Sequence, residues 1–359
     1  MKIVNIILTS QNGGAEQVFI DYSNILKNRL GHQLLTIVKT DAPYCDKIES
    51  LGIEAKKIKN NFGFHDVFAV KSIKKILEDF DADAVLTHAG RATVLARKAI
   101  KKIKHKKIFE VAMNHSNNVK RSVGADLIIS INKSIFYKTV DLGQEPEKSF
   151  TISNAIDTSN ISPNFDKINF DKDTITIGMM SRFDRTKGYF ELIKALKILN
   201  EKQGKKFVLK IAGSGYFQKE IEKMIKNLKM ENYIEFLGWI KNKKEFFDSI
   251  DIFVLPSLEE PFGLVILESM HHSTPIVSSN CDGPLEILQP EIEAEFFATS
   301  PYENIENRLA DAILKLSQDD KRARKMAQNA FKKLQERFSF DSLEKNLKEI
   351  FGRVPQNKN

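Results

Sequence analysis

Short runs of β-branched and other apolar residues alternate with longer stretches of helical spacing along the chain. The runs KIVNIIL (2–8), LLTIV (34–38), AVLT (84–87), KIFEVA (107–112) and DLIIS (126–130) are nearly continuous in apolar residues. That is the pattern of strands buried on both faces of a parallel sheet. Between them, residues 14–30, 65–80 and 91–104 carry the three- and four-residue apolar spacing of helices. The series restarts with TITIGMM (174–180), FVLKIA (207–212), YIEFLG (233–238), DIFVLP (251–256) and PIVSS (275–279), again with helical segments between. SFTISNAID (149–157) and the polar stretch 159–173 separate the two series and predict a linker. The expected fold class is therefore α/β, with two successive doubly wound domains at 1–160 and 161–337. A last helix, 338–353, has Asp341 near its start. Sheets of this kind bind ligands at the carboxyl ends of their strands.

The length of 359 residues suits two domains that each bury a core, and 42% hydrophobic with 28% charged residues is an ordinary globular balance. Cys45 and Cys281 stand far apart with no ligand or redox spacing, which argues against a disulfide framework and a zinc site. The apolar start, Ile3 to Leu8, is interrupted by Asn5 and precedes no small-residue cleavage site, so it reads as a first strand. No run reaches bilayer-spanning length, and a cytoplasmic protein is the expectation.

Charge is unevenly spread. Residues 1–160 hold 24 Lys/Arg against 17 Asp/Glu, which is +7 of the formal +8. The densest cluster runs from Arg97 to Lys107 and includes Lys98, Lys101, Lys102 and Lys104. Such a patch suits an anionic partner (nucleic acid, lipid or an acidic substrate), although a solvated helix face explains it equally well.

Several segments carry candidate chemistry. In TSQNGGAEQ (9–17), Gly13 and Gly14 stand between the first strand and its helix, where backbone approach and free N–H groups favour an anion. A tight turn explains the same residues. In GMMSRFDRTKG (178–188), Arg182 and Lys187 flank the turn before the next helix, and two cations over a helix N-terminus suit a diphosphate. IAGSGYFQKE (211–220) has Gln218 where a dinucleotide fingerprint wants a third glycine, which disfavours a nicotinamide cofactor. Gly238 ends a strand and could admit a flat base.

The sharpest segment is EEPFGLVILESM (259–270). A helix is expected from about Phe262, with the N–H groups of Phe262, Gly263 and Leu264 in its first turn. Glu268, one turn beyond Leu264, can accept two hydrogen bonds from a vicinal diol such as a ribose, and Glu260 can bind hydroxyls of a second sugar. A glycosidase carboxylate pair would leave the cations near Arg182 unexplained. Asp81-Ala-Asp83 introduces a strand and Asp171-Lys-Asp173 lies in the linker, so neither is expected to bind metal. His115 and His88 each follow a strand of the first series, and the residues alone do not choose between them.

Together, NGGAE, the histidine of NHS, ISNAID, SRFDRTKG, AGSG, EEPFGLVILESM and DGPLEIL (282–288) resemble the family-4 retaining glycosyltransferases of GT-B fold, over essentially the whole chain. The resemblance implies two Rossmann-like domains facing across a cleft, the second holding a nucleotide-sugar, with the final helix crossing back to the first. It matches Arg182 and Lys187 to the diphosphate-binding pair, Glu260 to the glutamate at the donor sugar and Glu268 to the one on the ribose. Phe262, Gly263 and Leu264 match the backbone donors, Gly13 and Gly14 the first-domain loop near phosphate, and His115 the active-site histidine, which favours it over His88. Departures are His271-His272-Ser273 in place of Ala-x-Gly, Ala155 in place of a junction glycine, and Asp282-Gly283 in place of Gly-Gly.

The implied activity is transfer of a hexose from a nucleoside-diphosphate sugar, with UDP the expected nucleotide, to a hydroxyl of a lipopolysaccharide or capsule precursor. His115 and Glu260 would be the catalytic pair, with no metal or cofactor. The expected partners are the donor, a lipid-linked or glycan acceptor and an anionic membrane surface met by the 97–107 cluster, with nucleic acid not among them. The alternatives are another GT-B enzyme, such as an epimerase or phosphorylase, and an inactive sugar-nucleotide-binding protein.

Overall fold

The computed structural model describes residues 1–160, 162–202 and 204–355. They form two compact units, Met1–Ala155 joined by the segment from Phe340, and Ile156–Ser339. The division falls at Ile156, five residues before the expected boundary. The polar stretch beyond it is not a free linker: Ile168 and Phe170 are buried in the second core, and Phe170 N–H donates to Asp320 Oδ1 at 3.0 Å. A few apolar residues inside a polar run were enough to anchor it.

The first unit contains a seven-stranded sheet of β1 (Lys2–Ile7), β2 (Gln33–Lys39), β3 (Glu54–Ile58), β4 (Ala84–His88), β5 (Phe109–Asn114), β6 (Leu127–Ser130) and β7 (Ser149–Thr151). Its order is β3-β2-β1-β4-β5-β6-β7, and every pairing is parallel. The second unit contains β8 (Thr174–Met180), β9 (Lys206–Ala212), β10 (Ile234–Gly238), β11 (Ile252–Leu255), β12 (Ile276–Ser279) and β13 (Glu295–Phe297). These lie in the order β10-β9-β8-β11-β12-β13, also all parallel. Each sheet reverses its direction of winding once, between β1 and β4 and between β8 and β11. Those reversals open the crevices in which doubly wound sheets take ligands.

Strands that the apolar pattern did not predict have local reasons for hiding. The edge strand β3 is EAKKI, with most side chains exposed, and its lysines keep the edge soluble. β7 and β13 are three residues long, too short for a period to register. The helix expected over 91–104 is Ala89–Ile100. Beyond its end, Ile103 and Ile108 are both buried in the first core. Phe340–Gly352 buries Leu343, Leu347, Ile350 and Phe351 on one stripe, and Arg29 pairs with Asp341 and Glu344 at 2.7 and 3.2 Å.

Arg97 needs a correction. It is not available for a membrane surface, because its guanidinium is fully engaged within the first unit. Nε lies 3.0 and 2.9 Å from the two Glu110 oxygens, and the remaining nitrogens donate to the carbonyls of Arg121, Ser122 and Val123. Glu110 is buried, and burial pushes its carboxyl up against the opposing pull of Arg97. Arg97→Met should therefore strand a buried carboxylate and three carbonyls, lowering unfolding free energy by about 3 kcal/mol in urea titration. Lys101→Ala, at an exposed position, should change it by less than about 0.5 kcal/mol.

Candidate active site

In the second unit, the loops leaving β8, β9, β11 and β12 interlock at the carboxyl edge. The turn Arg185–Lys187 follows β8 and is capped by Asp184, whose Oδ1 accepts the Thr186 N–H at 3.0 Å. Leu258, beyond β11, donates its N–H to Thr186 O at 2.7 Å. Gly188 permits that stitch: it has φ +73°, and a Cβ there would stand 1.9 Å from Pro256 O. Beyond β9, a Cβ on Gly213 would stand 1.9 Å from Ser181 O, and one on Gly215 would stand 2.5 Å from Phe183 O. The glycines of AGSG thus let this loop lie against the Arg182 segment. Gly283, which departs from the family pattern only in its neighbour, donates its N–H to Glu260 O at 3.0 Å, and a Cβ there would meet Phe262 N at 2.6 Å.

This framework holds the charged groups. Lys187 Nζ and Glu260 Oε2 form an ion pair at 3.0 Å with both side chains largely buried, and Glu260 Oε1 faces the Phe262 N–H at 3.5 Å. Arg182 is exposed on the neighbouring loop and has no carboxylate within ion-pair distance among the described residues. The helix expected from Phe262 begins two residues later, at Leu264, because Gly263 turns the chain as its N-cap with φ +95°. Phe262 is buried and lies outside the helix, so the first-turn donors are those following Gly263. Gly238 ends β10 with φ +64°, and its carbonyl accepts the Gly213 N–H at 2.7 Å, which ties it to the same interlocked edge.

Glu268 lies one turn into the helix Leu264–His271. One oxygen pairs with Lys243 Nζ at 2.5 Å, while the other is buried and has no partner among the described residues. Burial pushes this carboxyl above its ordinary range, although Lys243 pulls the other way. That oxygen keeps unused acceptor capacity among the described residues. Lys243 had no signal in the sequence. It comes from a different βα unit, and only the tertiary fold sets it beside Glu268.

In the first unit, Gly13 caps the helix Gly14–Asn24, and its N–H donates to Glu16 Oε2 at 3.0 Å. The histidines do not compete but pair: His88 Nδ1 lies 2.9 Å from His115 Nε2, with ring centroids 5.1 Å apart. Phe19 and Tyr22, on the helix that Gly13 caps, meet the His88 ring edge-on at 5.4 and 5.7 Å. One proton serves the contact between the rings, and burial holds both neutral. His115 falls to about 4, and His88 lies well below its ordinary value. The pair sits where β4 and β5 end, on the edge that Gly13 also occupies.

Residues 160–333 match the family model described as Glycosyl transferases group 1. A lipopolysaccharide core biosynthesis glycosyltransferase of Rhizobium meliloti, LpsE, is 26% identical over 277 residues, covering 76% of this chain and 78% of its own. An uncharacterized glycosyltransferase of Methanocaldococcus jannaschii is 28% identical over 236 residues, covering 62% of this chain and 59% of its own. Among solved structures, Anabaena HepE in complex with UDP and glucose superposes with a TM-score of 0.83 at 21% identity, over 99% of this chain and 100% of that one.

Two measurements follow from the charges. The unfolded chain protonates histidine near pH 6.5, above the folded values of His88 and His115. The stability these rings contribute is full above that pH and is lost as pH falls toward 4. Between pH 7 and 4.5, urea unfolding of His88→Phe/His115→Gln should lose less stability than wild type. For Glu268 the sign reverses: its folded value is raised, so its contribution is full below about pH 4.5 and is lost as pH rises through the folded value. Glu268→Gln should therefore melt higher than wild type at pH 7.5, and the difference should vanish at pH 4.

Residues 160–333 thus carry the pattern of the group 1 glycosyl transferases, and the whole-chain superposition with the twin parallel sheets shows that the chain has the GT-B fold.

Proposed function

We propose that the chain moves a hexose from UDP-hexose to a hydroxyl of a bacterial surface-glycan acceptor such as a lipopolysaccharide precursor, with retention of anomeric configuration. The observation that carries this reading is the buried Lys187–Glu260 pair beside the helix start at Leu264, with Arg182 unpaired on the adjoining loop. UDP as the nucleotide is supported by the UDP complex of the structural neighbour, and the acceptor class by the lipopolysaccharide-core relative.

In the proposed reaction, the bond between the sugar's anomeric carbon and the β-phosphate oxygen breaks, and the acceptor oxygen bonds to the same face of that carbon. The acceptor's proton passes to the departing phosphate, so no protein nucleophile is needed. Negative charge grows on the diphosphate as the bond stretches. Arg182, Lys187 and the first-turn N–H groups following Gly263 oppose it in place of a divalent ion, and preorganised charge of this kind is the largest lever on the barrier. As Lys187 turns toward phosphate, Glu260 is released to hold hydroxyls of the transferred sugar. Glu268 would accept the ribose hydroxyls through its unpartnered oxygen, and neutral His115 would hydrogen-bond the sugar. Gly13 and Gly14 would supply phosphate contacts, and Gly238 would pass beneath the base.

We extend the proposal to a peripheral position at the inner face of the cell membrane, where lipid-linked acceptors reside. The excess positive charge of residues 1–160 supports it. No helix among the described residues is long and apolar enough to cross a membrane.

Arg182→Ala and Glu260→Ala should each lower kcat/KM for transfer by about 10²–10³-fold, and Arg182→Ala, at an exposed position, should keep a thermal midpoint close to wild type. EDTA should leave the rate unchanged. Transfer that persists in both variants would reject the site, and conversion of the donor to its epimer without acceptor would reject the reaction class. The anomeric coupling constant of the product reports retention directly.

A further inference from the structure

Resting on the peripheral position proposed above, we infer that the membrane-facing surface is an aromatic wedge formed by Phe62, Val67 and Phe68, and that Lys101, Lys102 and Lys104 are not the docking element. The three side chains are 66%, 64% and 70% exposed and fall within seven residues of one another. Isolated exposed apolar residues need no explanation, but a cluster that the fold actively holds out of its core does.

The wedge is held rigidly from beneath. Asp66 caps the helix Val67–Asp79 through the Ala69 N–H at 2.9 Å. Its other oxygen accepts the N–H groups of Asn61 and Phe62 at 2.8 and 3.2 Å. Asn60 Nδ2 donates to Gly63 O at 2.9 Å, and Lys98 Nζ donates to Phe64 O at 2.9 Å. The Arg121 guanidinium lies 4.1 Å over the Phe64 ring. With both flanks tied, the outward direction of Phe62 and Phe68 belongs to an ordered backbone.

Charge selects the partner. Lys71 and Lys75 follow Phe68 by three and seven residues on one exposed helix face, about 5 and 10 Å along the axis. Neither has a carboxylate within ion-pair distance among the described residues. Aromatic rings leading and lysines one and two turns behind match an anionic bilayer, with rings at the acyl boundary and ammonium groups among the headgroups.

Topology decides between the two candidate surfaces. The wedge follows β3, so it lies at the carboxyl edge of the first sheet, the edge that also carries Gly13 and the His88–His115 pair. The lysines at 101, 102 and 104 precede β5 and lie at the opposite, amino edge. Only the wedge would bring a lipid-linked hydroxyl to the edge where the histidines sit.

Vesicle flotation with the full chain tests this, using phosphatidylglycerol/phosphatidylcholine vesicles against phosphatidylcholine alone at low and high salt. Wild type should bind the anionic vesicles and weaken with salt. Phe62→Ser/Phe68→Ser should weaken binding at least about tenfold. Lys71→Glu/Lys75→Glu should weaken it by a similar factor, and Lys101→Glu/Lys102→Glu/Lys104→Glu by less than about threefold. Thermal midpoints and slow donor hydrolysis should match wild type throughout, since every substituted side chain is exposed. If wild type binds and the aromatic variant binds equally well, the wedge is wrong and the peripheral position stands. If wild type does not bind, the peripheral position itself falls. A wild-type oligomer that the aromatic variant dissolves in sedimentation velocity would make the patch a protein interface and overturn the proposal.

Discussion

The second unit's site depends on backbone meeting backbone at places where a Cβ cannot stand. Gly188 against Pro256, Gly213 against Ser181, Gly215 against Phe183 and Gly283 against Phe262 bring four carboxyl-edge loops into one layer. The winding reversal between β8 and β11 supplies the crevice, and these contacts give it fixed walls. Lys187 and Glu260 belong to different loops, and their ion pair exists only because the loops cannot drift apart. A side chain at any of these glycines would separate the walls before it disturbed a charge. The chemistry of the site is thus secondary to its closeness of packing.

On that framework the electrostatics are deliberately incomplete. Among the described residues Arg182 is unpaired and one Glu268 oxygen has no partner, burial raises the Glu268 carboxyl, and Lys187 is held by Glu260. Each leaves charge or acceptor capacity that the described residues do not use. The first unit shows the complementary arrangement, in which His88 and His115 share one hydrogen bond and stay neutral because ionising either would cost desolvation. The second unit's edge thus carries Arg182 and Lys187, and the first unit's edge carries a neutral histidine pair.

Surface charge carried less information than it first suggested. Arg97 begins the densest basic run, yet it is spent inside the first unit on Glu110 and three carbonyls. Lys101, Lys102 and Lys104 of that run stand on the edge away from His115. Composition counts charge but does not say which edge of a sheet it occupies. The aromatic turn at 62–68 drew no notice in the sequence, because three apolar residues beside a helix start look like ordinary core.

The sequence by itself determined the class of fold, most of the strands, and the identity of the charged residues in the second unit. Those depend on local periodicity and on short spacings such as that from Glu260 to Glu268, which survive in one dimension. It did not reveal β3, β7 or β13, the anchoring of the stretch after Ile156, or the start of the helix at Leu264. Edge strands and three-residue strands carry too little apolar pattern, and a single glycine at φ +95° moved the helix start. Only the tertiary structure joined His88 to His115, Lys243 to Glu268 and Lys187 to Glu260. Each pair brings together side chains from different βα units, and parallel topology gathers such residues at one edge however far apart they lie in the chain.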